Sequence, residues 1–184
     1  MVLYNIIYAD PPWSYDDPKG NDPSMGGITY PTMEDEEIYS LPVQDLCAKD
    51  CGLFLWVTMP KLKEGVMTME RWGFIYTTCA FVWVKKRGAK IYSGLGHWVN
   101  GNAELCLFGK IGHPERQCKD VKQIVMSQLR GHSQKPDEVR ENIVRLMGDK
   151  PRIELFARQR FEGWDVWGNE APKEVQTTLK GVLF

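Results

Sequence analysis

Much that would classify a protein at a glance is missing from this sequence. No apolar run approaches the eighteen or so residues of a membrane-spanning helix. The opening MVLYNIIYADPPW has no basic n-region and no small-residue cleavage site, so it does not read as a secretory leader. The five cysteines, Cys47, Cys51, Cys79, Cys106 and Cys118, are odd in number and irregularly spaced. They fit reduced thiols in a cytoplasmic protein better than a disulfide framework. His97, His113 and His132 have no ligand spacing, and Cys47-x-x-x-Cys51 lacks a second pair, so no metal site is expected. No GxGxxG follows the first strand, and Gly94-Leu95-Gly96 is too short and ill-placed to serve. Repeats, low-complexity tracts and linkers are also absent, which leaves one expected domain over residues 1–184. With 43% hydrophobic and 26% charged residues, the composition excludes whole-chain disorder.

Net charge is also nearly absent, at −1, which argues against an indiscriminate nucleic-acid binder. Its distribution is uneven. Residues 1–80 carry 5 Lys and Arg against 12 Asp and Glu, whereas residues 81–135 carry 10 against 3. The densest basic part is Lys85, Lys86, Arg87 and Lys90. Such a stripe suits a phosphate backbone, and equally suits a solvated loop face. The acidic run Glu34–Glu37 fits the first turn of a helix, where carboxylates meet the positive end of the dipole.

Apolar runs at residues 3–9, 52–58, 74–84, 103–108 and 153–157 read as strands, with a further one beginning at Val166-Trp167. Helices are expected from Met33 to Ser40, capped by Thr32, and from Pro60 to Trp72, with Leu62, Val66 and Met69 on one face. A third opens at Lys135-Pro136, buries Val139, Ile143, Leu146 and Met147, and stops at Gly148. Residues 16–30, rich in Gly, Pro, Asp and Asn, read as a long loop. Alternating strands and helices, with several strands apolar throughout, predict an α/β fold with a mostly parallel sheet covered on both faces. Ligands of such folds bind beyond the carboxyl ends of the strands, where Asp10-Pro11-Pro12-Trp13 stands.

That tetrapeptide carries the chemistry. Two prolines fix the backbone and end the strand. The Asp10 carboxylate and the Pro11 carbonyl offer two acceptors side by side, with Trp13 as a flat apolar neighbour. This set matches an exocyclic amine on a planar base. Accepting both N–H groups of an adenine N6 amine pushes electron density back onto a poorly nucleophilic nitrogen and aims it. A base within a duplex reaches such a pocket only by flipping out. By itself the tetrapeptide fits a strand-ending turn with a core tryptophan about as well.

The remainder of the chain tips that balance. Asp10-Pro-Pro-Trp13, Tyr30-Pro-Thr-Met33, Leu55-Trp-Val-Thr58, Gly96-His-Trp98, Glu104-Leu-Cys-Leu107, His132-Ser-Gln-Lys-Pro-Asp-Glu138, Glu154-Leu-Phe-Ala-Arg158 and Gly163-Trp-Asp-Val-Trp-Gly-Asn-Glu170 occur in the order of one family. In these segments, which span nearly the whole chain, the sequence resembles the MT-A70 family of S-adenosylmethionine-dependent N6-adenine methyltransferases. The resemblance implies a Rossmann-like methyltransferase fold, circularly permuted, with the catalytic strand early and the cofactor strand late. That order accounts for the missing glycine-rich loop. The compact C-terminal part resembles the bacterial or phage branch, where the substrate is usually DNA.

Carried over residue by residue, the resemblance implies that Asp10 and Pro11 hold the amine within the Asp10-Pro11-Pro12-Trp13 turn. Trp13 stacks on or lines the base, and Tyr30 and Trp98 wall its pocket. Lys135 meets the methionyl carboxylate of S-adenosylmethionine, and Asp10 lies near its amino group. Phe156, Arg158, Asn169 and Glu170 surround its adenosine, with Glu154 orienting that loop; a carboxylate in so apolar a strand needs a partner, and an ion pair of purely structural value fits Glu154 about as well. Lys85, Lys86 and Arg87 track the nucleic acid. Gln159, Arg160 and Phe161 depart from the eukaryotic catalytic subunit, which has a His-Asn pair there. Nucleic acid, DNA before RNA, is the expected partner, with a second copy or a partner subunit also possible and no membrane. The rival readings are an RNA adenine methyltransferase, a catalytically silent nucleic-acid-binding subunit, and a cytosine-N4 enzyme, whose motif is more often Ser-Pro-Pro-Tyr.

Overall fold

The structure is a computed structural model, and it describes residues 2–15, 31–94, 98–131 and 134–172. Its centre is the strand β1 (Tyr4–Ala9), which pairs in parallel with β2 (Cys47–Val57) on one side and β7 (Arg152–Leu155) on the other. Ile7 faces Leu53 and Ile153 across the two ladders, and Ala9 faces Leu55 and Leu155. With both edges paired and both faces covered, β1 is apolar from Ile6 to Ala9, and its one polar residue, Asn5, donates its side-chain amide to the Asp50 carbonyl at 3.0 Å.

The sheet continues beyond β2 through β5 (Ala103–Ile111), which is antiparallel to β2, and β3 (Ile75–Arg87), which is antiparallel to β5. The short β4 (Lys90–Ile91) turns back antiparallel on the end of β3, and β6 (Ile124–Gln128) runs parallel to it on the other edge. Beyond β7 lies β8 (Asp165–Trp167), again parallel. Among the described residues four of the seven pairings are parallel, as expected, and the antiparallel ones gather around β5 and β3. The stretches Lys85–Gly101 and Gly109–Gln128 read as loops in sequence, yet β4 and β6 lie within them. A two-residue strand and a five-residue IVMSQ segment with exposed alternate positions carry too little pattern to be recognised.

Side chains alternate across the sheet. Ile7, Ala9, Leu53, Leu55 and Val57 face the side covered by α1 (Asp35–Tyr39) and α2 (Leu62–Arg71), whose Ile38 and Met69 join them in one core. Ile6, Tyr8, Phe54 and Trp56 face α3 (Asp137–Met147), which adds Val139, Ile143 and Met147. Pro136 stands at the N-cap of α3, one position earlier than the sequence suggests, and Gly148 closes the helix at φ 87°. A left-handed residue there favours glycine. The first helix is shorter than expected and is capped at Glu34, whose backbone N–H donates to Glu37 Oε2 at 2.8 Å. The loop expected at residues 16–30 lies outside the described residues.

Candidate active site

The topology sets Asp10 just past the carboxyl end of β1, between the ends of β2 and β7. The turn that follows is held from three sides. Trp13 N–H donates to the Pro11 carbonyl at 2.9 Å, and Met33 N–H donates to the Pro12 carbonyl at 2.9 Å. The Trp13 indole Nε1 donates to the Trp56 carbonyl at 3.1 Å. Of the two readings of Trp13, a ring on the base and a core tryptophan at a strand-ending turn, the structure favours the second: the ring is 4% exposed, within the core below the turn. The ring therefore anchors the backbone that presents Asp10 and Pro11. The Pro11 carbonyl already accepts one hydrogen bond and keeps one lone pair for another.

Asp10 is engaged by a residue 125 positions away. Lys135 Nζ donates to its Oδ1 at 2.7 Å and its Oδ2 at 2.6 Å. The Lys135 side chain is only 5% exposed, against 26% for Asp10. The same ammonium lies 3.3 Å from Glu104 Oε2 and 5.6 Å from the Trp56 ring centroid. Glu104 in turn pairs with Lys85, whose ammonium stands 5.2 Å from the Trp83 ring centroid. Four alternating charges thus run from β1 through the start of α3 to β5 and β3.

Burial pushes the Asp10 carboxyl above its ordinary range, and Lys135 opposes that push. Burial also works against the Glu104 charge, yet Lys135 and Lys85 together hold this carboxyl below its ordinary range. The network is therefore built to keep a half-buried Asp10 beside a fixed positive charge.

A cleft of about 350 Å³ opens beside Asp10. It brings together five residues that the sequence assigns to a cofactor: Asp10, Lys135, Phe156, Arg158 and Glu170. Phe156 holds a φ of 61° at the end of β7 and packs edge-on against Trp167, with ring centroids 5.5 Å apart. Arg158 Nε lies 3.7 Å from Glu170 Oε1. Asn169 is exposed next to Glu170 but does not line the cleft.

The other expected site residues are more scattered. Lys85 is drawn into the ion-pair network, while Lys86 and the exposed Arg87 continue toward β4. The Arg87 guanidinium covers the Tyr92 ring at 4.7 Å. Trp98 is 97% exposed and packs into no core. Tyr30 lies outside the described residues.

Sequence reasoning missed Arg140 and undervalued Glu104. Arg140 Nε and Nη2 donate to Glu154 Oε2 and Oε1 at 2.7 and 2.6 Å, and its Nη1 donates to Asp137 Oδ1 at 3.0 Å. The clamp is the structural ion pair that was the alternative reading of Glu154, and it fixes the start of α3 on β7. Burial still pushes the Glu154 carboxyl above its ordinary range, against the pull of Arg140. For Glu104 a signal was present. A carboxylate within the apolar strand AELCLF requires a buried partner.

An α/β sheet of this order, with a charged cleft at the end of its central strand, defines a Rossmann-like methyltransferase domain. The chain belongs to the MT-A70 family, whose model matches residues 4–170. It is 35% identical to the type II methyltransferase M.MunI of a Mycoplasma species, over 92% of this chain and 78% of that protein. It is 34% identical to an N(6)-adenosine-methyltransferase MT-A70-like protein of Arabidopsis thaliana, over 92% of this chain and 24% of that protein. The human N(6)-adenosine-methyltransferase catalytic subunit METTL3 is 33% identical over 91% of this chain and 28% of its own length. The chain thus spans about a quarter of these eukaryotic relatives.

Proposed function

We propose that this chain transfers a methyl group from S-adenosylmethionine to N6 of adenine in DNA, in the cytoplasm, on a base turned out of its stack. The observation that carries this reading is the acceptor pair at the end of β1. The Asp10 carboxylate, held by Lys135, stands beside a Pro11 carbonyl with a spare lone pair. Together they take the two N–H groups of the amine and aim its nitrogen, by positioning and fixed charge alone. Asp10 accepts most strongly as a carboxylate; burial raises its carboxyl above the ordinary range, and Lys135 opposes that rise. The amine sheds a proton as it gains the methyl group, and Asp10 is the nearest base to receive it.

The cleft fits S-adenosylmethionine by its chemistry. Phe156 offers an apolar face to the adenosine, Arg158 and Glu170 offer polar partners to its hydroxyls, and Asp10 suits an ammonium head. When bound, the cofactor supplies an electrophilic methyl group on a sulfonium. The donors of Lys135 already point to Asp10 and Glu104, so its part in this reading is to orient Asp10 and favour its charged form. Lys86 and Arg87 follow the phosphate backbone. Support for DNA comes from length: the compact relative named a type II methyltransferase is covered over 78% of its chain. A second copy or a partner subunit is the candidate source of further target contacts.

The test is transfer from labelled S-adenosylmethionine to matched single- and double-stranded DNA and RNA, followed by nucleoside mass spectrometry. N6-methyldeoxyadenosine is the expected product. Methyladenosine from RNA alone would move the substrate, and no transfer with the cofactor bound would make the chain a silent nucleic-acid-binding subunit.

A further inference from the structure

Phe161 is the half-buried ring in the irregular stretch after β7, and it borders two spaces. On one side is the cleft beside Asp10. On the other is a second hollow of about 430 Å³, which Val144 and Trp164 also line. Arg140 stands between them. Its edge is fixed on Glu154 and Asp137, and its flat face covers the Phe161 ring at 3.8 Å, with the Tyr8 ring 5.3 Å away. A guanidinium fixed at its edge by two carboxylates and at its face by rings has almost no freedom left. Phe161 packs on the core around Tyr8 and Trp164 and borders the second hollow, and the flat face of Arg140 lies against its ring on the cleft side.

We infer that Phe161 is a contact for the adenosine part of the cofactor, and that Arg140 is the positioning residue that keeps it there. The inference rests on the cofactor reading above and deepens it. Phe156 and Phe161 both line the cleft, as does Arg158, so the adenosine end has two phenyl rings rather than one. Binding there depends on flat apolar surface, which a planar purine supplies.

Calorimetric titration of the full chain with S-adenosylhomocysteine and with 5′-methylthioadenosine, which lacks the amino-acid end, tests this directly. Phe161→Ala is expected to weaken both ligands by a similar factor, on the order of tenfold. Arg140→Lys keeps a cation against Glu154 but loses the planar stack, and is expected to weaken both by a few-fold. In the Phe161→Ala background the same Arg140→Lys change should cost nothing further, because its effect passes through the ring. Unchanged affinity in folded Phe161→Ala would overturn the contact. An equal Arg140→Lys loss with and without Phe161 would overturn the positioning role and leave Arg140 as a clamp on Glu154 alone. Failure of the parent chain to bind either ligand would remove the cofactor reading itself, and this inference with it.

Discussion

Lys135→Met removes one charge and keeps a side chain of similar length, so its cost measures what the ammonium does for Asp10. Two hydrogen bonds, at 2.7 and 2.6 Å, are lost together. Removing one partner of a buried ion pair costs about 3–5 kcal/mol. Asp10 keeps 26% of its side-chain surface in solvent, and Glu104 keeps Lys85, so the lower figure of about 2–4 kcal/mol applies here. The pH dependence identifies the group at fault. Burial already raises the Asp10 carboxyl, and without Lys135 it rises further. The folded variant then binds a proton that the unfolded chain does not, so its stability falls as pH rises through the folded value. Below that value Asp10 is neutral and the penalty disappears. Urea unfolding followed by tryptophan fluorescence should therefore show a large gap between parent and variant at about pH 8 and a smaller one at about pH 5. The acid limb of the methyl-transfer profile should also move to higher pH. An equal gap at both pH values would refute the account, because the loss would then owe nothing to an unpaired Asp10.

Asp10→Ala should leave the fold intact and reduce methyl transfer by about 100-fold or more, since one of two acceptors is gone; near-normal turnover would contradict the mechanism. Lys86→Gln with Arg87→Gln should weaken DNA binding and flatten its salt dependence by about two units of slope, read by fluorescence anisotropy across a salt series. An unchanged slope would return both residues to a solvated face. Trp13→Phe loses the indole bond to the Trp56 carbonyl and should cost about 1–2 kcal/mol in urea unfolding. A larger effect on transfer than on stability would show that the ring touches the base after all.

The central strands and α3 were legible because their signals are local. Leu3–Ala9 and Gly52–Thr58 are unbroken apolar runs, and Val139, Ile143 and Met147 recur at helical spacing. The cleft was legible for a different reason, since its residues sit at strand ends that follow recognisable motifs. The ion pairs were not. Arg140 and Glu154 meet across a helix and a strand, and no spacing in the chain announces that contact. Lys85 shows how a charge run misleads. KKR looks uniformly solvated, yet strand alternation sends Lys85 to the side of the buried Trp83, where Glu104 waits. Trp13 stayed ambiguous for the same reason: the tetrapeptide fits a base-facing or a core ring, and the bond to the Trp56 carbonyl that decides between them crosses 43 positions.

The place of β1 in the sheet has a consequence for how the protein comes into being. Its partner β7 follows 146 positions further along the chain, as the pairing of Ile7 with Ile153 shows. Asp10 likewise waits for Lys135 across 125 positions. A nascent or broken chain that ends after β5 carries the entire Asp10-Pro11-Pro12-Trp13 sequence but neither the lysine that pairs with Asp10 nor β7, which forms one wall of the cleft. Such long-range closure is slow to form. It also means that the proposed site is assembled only once β7 and Lys135 have joined β1.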